Sequence, residues 1–218
     1  MPLLLGHRGA KKYAPENTAE AFALALDHGC DGFEFDVRLT ADGGAVCCHD
    51  PEYRGHIVCQ CQCNFEIADL TRLEAALGFA DRGYLDIEMK VAGVVPKFAT
   101  LLHQLDPERT VISSFLPQVI SECKQHTPGV PAGLICESHA QLDNFEPSGA
   151  DVLIVHHRLV TSELVASTHA QQKRIFVWTV NDAENMRELA RLRVDAIISD
   201  DTLLMARTLK DIAAAAHA

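Results

Sequence analysis

Eight short, largely apolar runs recur along this chain, most of them followed by a longer stretch with apolar residues at helical spacing. That rhythm limits the folds open to it more than any other feature. The runs lie near Leu4, Phe35, Ile87, Ile112, Leu134, Leu153, Val177 and Ile197. The stretches between them predict helices from Asn17, over Ile67–Phe79, over Val95–Leu105, around Pro117–Lys124, near His139–Asn144, over Ser162–Gln172, after Asn181, and from Leu203 towards the C-terminus. Asn17 can cap its helix with Glu20 close to a capping box, and Asn181 with Glu184 repeats the pattern. Strands alternating with amphipathic helices mean parallel βα units. Eight units in 218 residues predict one α/β domain over residues 1–218, a closed (β/α)8 TIM barrel. A doubly wound open sheet is the runner-up, disfavoured because no Gly-rich dinucleotide fingerprint follows the first strand.

The second run opens a special stretch, Asp31 to Asp50. Phe33, Phe35 and Val37 alternate with Glu34, Asp36 and Arg38, a strand pattern. Glu34 and Asp36 then share a face about 7 Å apart along the strand. Like charges that close repel unless something cationic lies between them. The turn signal Asp42-Gly43-Gly44 and the run Ala45–Cys48 predict a hairpin, since a parallel crossover needs a dozen or more residues. Pairing Asp36 with His49 returns the histidine to the level of the carboxylates. An edge hairpin with a solvated acidic face fits the same pattern.

Barrel active sites form at the C-terminal ends of the strands. The polar residues there are His7, Arg8, Glu34, Asp36, His49, Glu88, Lys90, Ser113, Ser114, Glu137, His156, His157 and Trp178. Glu34, Asp36 and Glu88 suit one divalent cation, Mg²⁺ or Ca²⁺, held by hard oxygens. Arg8 and Lys90 suit an anion. His7 and His49 suit a general acid and base. Together they describe attack on a phosphodiester, whose transition state gathers charge on the non-bridging oxygens. Several have blander readings: Lys90 as an internal ion pair with Glu88, His156-His157 as surface loop, Trp178 as rim packing, and Glu137 as a helix N-terminal charge.

The net charge of -11 argues against a nucleic-acid or anionic-membrane surface. No stretch approaches the roughly 20 apolar residues of a membrane span. MPLLLGHRG lacks a basic n-region, so a cytoplasmic protein is expected. A homodimer stays open. The eight cysteines are then expected to be reduced, with Cys30, Cys123 and Cys136 in the core. Cys59, Cys61 and Cys63 alternate with Gln60 and Gln62, strand-like spacing unlike the Cys-x-x-Cys of a zinc site.

Taken in order, several motifs resemble the glycerophosphodiester phosphodiesterases of the phospholipase C-like barrel superfamily. They are His7-Arg8-Gly9, Pro15-Glu16-Asn17-Thr18, Glu34-Phe35-Asp36-Val37, His49-Asp50, Ile87-Glu88-Met89-Lys90, Ser113-Ser114-Phe115, Trp178-Thr179-Val180-Asn181 and Ile197-Ile198-Ser199-Asp200. The resemblance covers most of the chain. It implies hydrolysis of a glycerophosphodiester to glycerol 3-phosphate and an alcohol. It implies His7 and His49 as the acid/base pair, Glu34, Asp36 and Glu88 as ligands of one divalent cation, and Arg8 and Lys90 on phosphate. It further implies that Glu16 holds the His7-Arg8 turn and that Trp178 faces the glycerol end. The sequence departs from the family after His49-Asp50, where a longer segment with an Arg-Thr-Thr-like run usually overlies the mouth. Pro51–Phe65 is brief and Cys/Gln-rich, implying a more open mouth. Rival readings are a lysophospholipase D acting on lipid head groups, a barrel that only binds glycerophosphate, and a divalent-metal aldolase.

Overall fold

The computed structural model describes residues 1–215, with side-chain burial over residues 1–210. The strands are β1 (Leu3–Gly6), β2 (Gly32–Leu39), β3 (Ala45–Cys47), β4 (Glu52–Tyr53), β5 (His56–Ile57), β6 (Tyr84–Met89), β7 (Thr110–Ser114), β8 (Ala132–Cys136), β9 (Val152–His156), β10 (Arg174–Trp178) and β11 (Ala196–Ser199). The helices are α1 (Ala19–Asp27), α2 (Leu73–Leu77), α3 (Val94–Leu102), α4 (Pro117–His126), α5 (His139–Leu142), α6 (Phe145–Ser148), α7 (Ser162–Ala170), α8 (Ala183–Arg191) and α9 (Thr202–Ala215). Strands β1, β2 and β6 to β11 pair in parallel, and β1 pairs with both β11 and β2, so the sheet closes. The result is the eight-stranded barrel, with β3 added antiparallel on β2. The expected C-terminal helix is α9, and residues 216–218 lie outside the described residues.

Period-2 alternation along the strands builds two cores. Phe33, Phe35, Val37, Leu85, Ile87 and Met89 face outward and pack under the helices. Leu5, Tyr84, Val111, Ile135, Ile154, Phe176 and Ile198 form a separate inner core. Glu34, Asp36, Asp86 and Glu88 alternate with the outward set and are all buried, so they face the interior. The interior is therefore polar where Glu34, Asp36, Asp86 and Glu88 of β2 and β6 point inward, and apolar elsewhere, Leu5 of β1 and Tyr84 of β6 included.

Four local expectations are corrected. Helix α1 is capped by Thr18, whose side chain accepts from the Ala21 amide at 3.2 Å, and Asn17 is outside it with φ +60. Helix α8 is capped by Asp182, which accepts from the Asn185 amide at 2.8 Å, and Asn181 precedes it. The hairpin pairs Val37 with Cys47, and the Cys48 amide donates to Asp36, so the register is one residue from the Asp36–His49 pairing. His49 lies past the strand in a bend. The helix expected over Ile67–Phe79 exists only as α2, because Thr71 and Arg72 pair with β3: the Cys47 amide donates to Thr71 and Val46 bridges Arg72.

Pro51–Phe65 holds the two-residue strands β4 and β5 and a single 3-10 turn at Val58–Gln60, so the strand reading of Cys59, Cys61 and Cys63 does not stand. Cys61 and Cys63 pack with Val46, Cys48, Val58 and Ile67 in a small third core beneath the hairpin. Cys59 is exposed, and all eight thiols are free. Cys30, Cys123 and Cys136 are buried, as their neighbours in sequence implied.

Candidate active site

His7 leaves β1 two residues after inward-facing Leu5, with Gly6 between, so it too turns inward. The chain then reverses through two left-handed residues, Arg8 at φ +52 and Gly9 at φ +80. A Cβ on Gly9 would lie 2.6 Å from the Ala21 carbonyl carbon, so only glycine fits against α1. The turn aims the Arg8 amide at Glu34 Oε2, 2.9 Å away. The Arg8 guanidinium donates to Glu16 Oε1 at 2.8 Å, and its Nε lies 3.3 Å from Asp36 Oδ2. Glu16 also pairs with Lys11 at 3.3 Å.

Strands β2 and β6 run side by side with Glu34 opposite Asp86 and Asp36 opposite Glu88. That register stacks four carboxylates on one inner face. Ligand atoms of Glu34, Asp36 and Glu88 lie within 4.8 Å of one another. Lys90 donates to Glu88 Oε1 at 2.6 Å and lies 3.4 Å from Asp36 Oδ1. Glu34 Oε1 and Asp36 Oδ1 are buried with no hydrogen-bond donor. Burial, then the charges of Asp36 and Glu88, push the Glu34 carboxyl well above the usual range. Burial and the charge of Asp36 push Glu88 up to about 7, against the pull of Lys90. Four carboxylates thus face two cations, Arg8 and Lys90, and three of their oxygens, Glu34 Oε1, Asp36 Oδ1 and Asp86 Oδ2, are orphaned. A divalent cation bound by oxygens fits this donor set in charge and in ligand type.

Asn17, expected as a helix cap, instead clamps Asp36. Its Nδ2 donates to Asp36 Oδ2 at 2.8 Å and its Oδ1 accepts from the Asp36 amide at 3.1 Å. Asn181 does the same for Asp200: its Nδ2 donates to Oδ2 at 2.8 Å and its Oδ1 accepts from the Asp200 amide at 3.0 Å. Asp200 in turn lies 2.6 Å from His7 Nδ1. Burial would raise the Asp200 carboxyl, but its bond and charge contact with His7, with help from Asn181 and Lys11, hold it down to about 2. An ionised Asp200 requires the proton on His7 Nδ1, leaving Nε2 toward the cavity, 3.9 Å from Glu34 Oε2.

His49 comes from the hairpin. Its carbonyl accepts from Arg38 Nε at 3.0 Å and Nη2 at 2.6 Å, which fixes the bend. Its Nδ1 lies 2.8 Å from Asp50 Oδ1. Burial lowers its pKa below the usual imidazole value, opposed by Asp36 and Asp50.

One cavity of about 350 Å³ joins His7, Arg8, Glu34, His49, Glu88, Lys90 and Trp178. Asp86, Phe115, Ile135, Glu137, Ile154 and Ile198 complete its lining. Trp178 stands edge-on to Phe115 and His156, with centroids at 5.6 and 5.4 Å. His156 and His157 are half-buried, not open surface, and His157 Nδ1 meets Asn185 Nδ2 at 3.1 Å. Ser113 Oγ donates to Asp86 and Ser114 Oγ to the Met89 carbonyl, so both brace β6.

Sequence reasoning missed Asp86, Asp200 and the true roles of both asparagines. Asp86 was findable: it alternates with Glu88 in YLDIEM and must share its face. Burial pushes it up to about 7 despite the Ser113 bond.

A family model described as the Glycerophosphoryl diester phosphodiesterase family matches residues 7–104 and 79–204. The chain is 28% identical over 237 residues to a glycerophosphodiester phosphodiesterase of Caldanaerobacter subterraneus subsp. tengcongensis, spanning 91% of this chain and 94% of that protein. A glycerophosphodiester phosphodiesterase from Thermotoga maritima superposes with a TM-score of 0.82 at 26% identity, over 95% of this chain and 98% of that one. An Oleispira antarctica phosphodiesterase, solved in complex with the product sn-glycerol-3-phosphate, gives 0.81 at 22% identity over 96% and 97%.

Proposed function

The chain belongs to the glycerophosphoryl diester phosphodiesterase family, and from that premise we infer that it hydrolyses glycerophosphodiesters to glycerol 3-phosphate and an alcohol. The observation that carries the reading is the meeting of two histidines, two cations and the carboxylates of Glu34 and Glu88 at one cavity, with Asp36 clustered against those carboxylates. The product complex of the Oleispira antarctica relative supports the glycerophosphate half.

Glu34, Asp36 and Glu88 would hold one divalent cation, Mg²⁺ or Ca²⁺. When bound, it supplies Lewis-acid polarisation of a non-bridging phosphate oxygen. Arg8 and Lys90 bind the remaining phosphate charge, while their carboxylate partners keep both side chains in place. His7 and His49 move the protons: one ring nitrogen takes the proton of the attacking hydroxyl, the other returns one to the departing alkoxide. Asp200 and Asp50 orient the two rings, and Glu16 holds the Arg8 turn. Trp178 walls the glycerol side.

A lysophospholipase D-like activity is the second reading. It draws on Ile57, Phe65 and Leu116, large apolar side chains exposed on the segments that follow β3 and β7. One experiment tests both: a panel of glycerophosphodiesters and lysolipids, with and without EDTA, read by coupled phosphate release. Activity confined to glycerophosphodiesters and abolished by EDTA is expected. Activity confined to lysolipids would select the second reading, and full activity in EDTA would remove the metal.

A further inference from the structure

Besides the exposed Glu137, the cavity holds one carboxylate that the proposed reaction does not use. Asp86 lies two residues before Glu88 on β6, on the same inner face and level with Glu34. It is 1% exposed. Its Oδ1 accepts from Ser113 Oγ at 2.5 Å, and its Oδ2 is buried without a partner. It is not among the carboxylates whose ligand atoms gather within 4.8 Å, so its oxygens stand apart from the candidate cation site. The same cavity holds an orphaned donor outside the carboxylate cluster, Trp178 Nε1, also buried and unpartnered. Ile135, Ile154 and Ile198 line the same cavity.

An unmet acceptor and an unmet donor in one cavity with apolar side chains describe a specific ligand arm. It has a short carbon chain for the isoleucines, one hydroxyl that donates to Asp86, and another that accepts from the indole N–H. A quaternary ammonium fits less well, because it would leave Trp178 Nε1 unmet. We propose that Asp86 is a specificity-determining residue that reads a hydroxyl of the substrate's glycerol half, drawn into the barrel to the level of Glu34 and Asp86. The alcohol half then stays at the rim beside His49 and Glu137. The proposal rests on the phosphodiesterase reading above.

The test is calorimetric titration of the full chain in Mg²⁺ buffer with glycerol 3-phosphate, propyl phosphate and phosphocholine. Wild type should bind glycerol 3-phosphate at least about tenfold tighter than propyl phosphate, the worth of the two hydrogen bonds to Asp86 and Trp178 Nε1. Asp86→Ala should reduce that preference to within about threefold and leave propyl phosphate affinity unchanged. Equal weakening of both ligands would make Asp86 a structural or metal-supporting group and overturn the proposal. So would a wild-type preference for phosphocholine that Asp86→Ala removes. If Asp86→Ala does not fold, Trp178→Phe decides: it keeps a ring but no donor, and an unchanged preference counts against the subsite. Phosphate release from glycerophosphocholine separates the two readings. Binding preference without turnover sinks the reaction and keeps the subsite, whereas turnover without preference does the reverse.

Discussion

Asn17 and Asn181 each stand one residue before a helix cap, and each grips both the amide and the carboxylate of a single aspartate. An asparagine side chain offers one acceptor and two donors, so it can fix an aspartate in position and rotation at once. Asn17 does so at φ +60, a backbone state that asparagine tolerates better than most residues. His7→Ala and His49→Ala should each lower kcat by about 10²–10⁴-fold with the fold intact by circular dichroism. A variant within a few-fold of wild type would take that histidine out of the chemistry. Asp200→Asn should cost at least about tenfold in kcat, because the amide no longer demands a proton on His7 Nδ1. It should also change acid stability. The Asp200 carboxyl is depressed from 3.8 to about 2 in the folded chain. Its contribution is therefore present above 3.8 and lost as pH falls through about 2. Urea unfolding should show wild type more stable than Asp200→Asn at pH 5, with the gap closing toward pH 2. A gap independent of pH would mean that the pairing does not contribute to stability.

At the level of elements, the site is a consequence of one strand pair. Gly32 starts β2, where a Cβ would come within 1.9 Å of the Tyr84 carbonyl oxygen, so β2 and β6 approach closely. Their register puts Asp36 against Glu88 and Glu34 against Asp86. Hairpin β2–β3 then delivers His49, held by Arg38. The cost of this arrangement is repulsion, and it yields a pH prediction for the metal-free chain. Glu88 is raised from 4.5 to about 7, first by burial and then by Asp36. A raised carboxyl favours the folded state below 4.5 and loses that advantage as pH rises to about 7. In EDTA, the melting temperature should fall across that window. Mg²⁺ or Ca²⁺ should reverse the fall, and Glu88→Gln should lessen it, the raised Asp86 and Glu34 carboxyls keeping the rest. A melting temperature in EDTA that rises or stays level over the window would contradict the cluster's electrostatics.

For the whole molecule, the barrel separates a closed interior from an open rim. No residue of Pro51–Phe65 lines the cavity, because that segment packs into its own small core beneath the hairpin. Few contacts are left to discriminate the alcohol beyond the phosphate. Glycerophosphocholine, glycerophosphoethanolamine and glycerophosphoglycerol should have kcat/KM values within about tenfold, roughly 1.4 kcal/mol in transition-state binding. A thousandfold preference would mean that another segment closes the rim, and the loops carrying Glu137 and His156-His157 are the first to examine.

The barrel and most of the candidate site were legible in the sequence. Period-2 and period-3.6 patterns are local, and eight of the first alternating with the second leave little topological choice. The same periodicity put Glu34, Asp36 and Glu88 on inner faces, and the short apolar run of β1 put His7 at a strand end. Choices between partners far apart in the chain were left to the closed barrel. Asn17 is as good a cap as Thr18 in sequence, and the tie is broken by Asp36, a site 19 residues away. Asp200 reaches His7 across 193 residues through closure of β11 on β1. The hairpin register moved by one residue because β3 is also tied to Thr71 and Arg72. Spacing cannot encode such pairings, because each depends on which of several equivalent donors the closed barrel brings within about 3 Å of an acceptor.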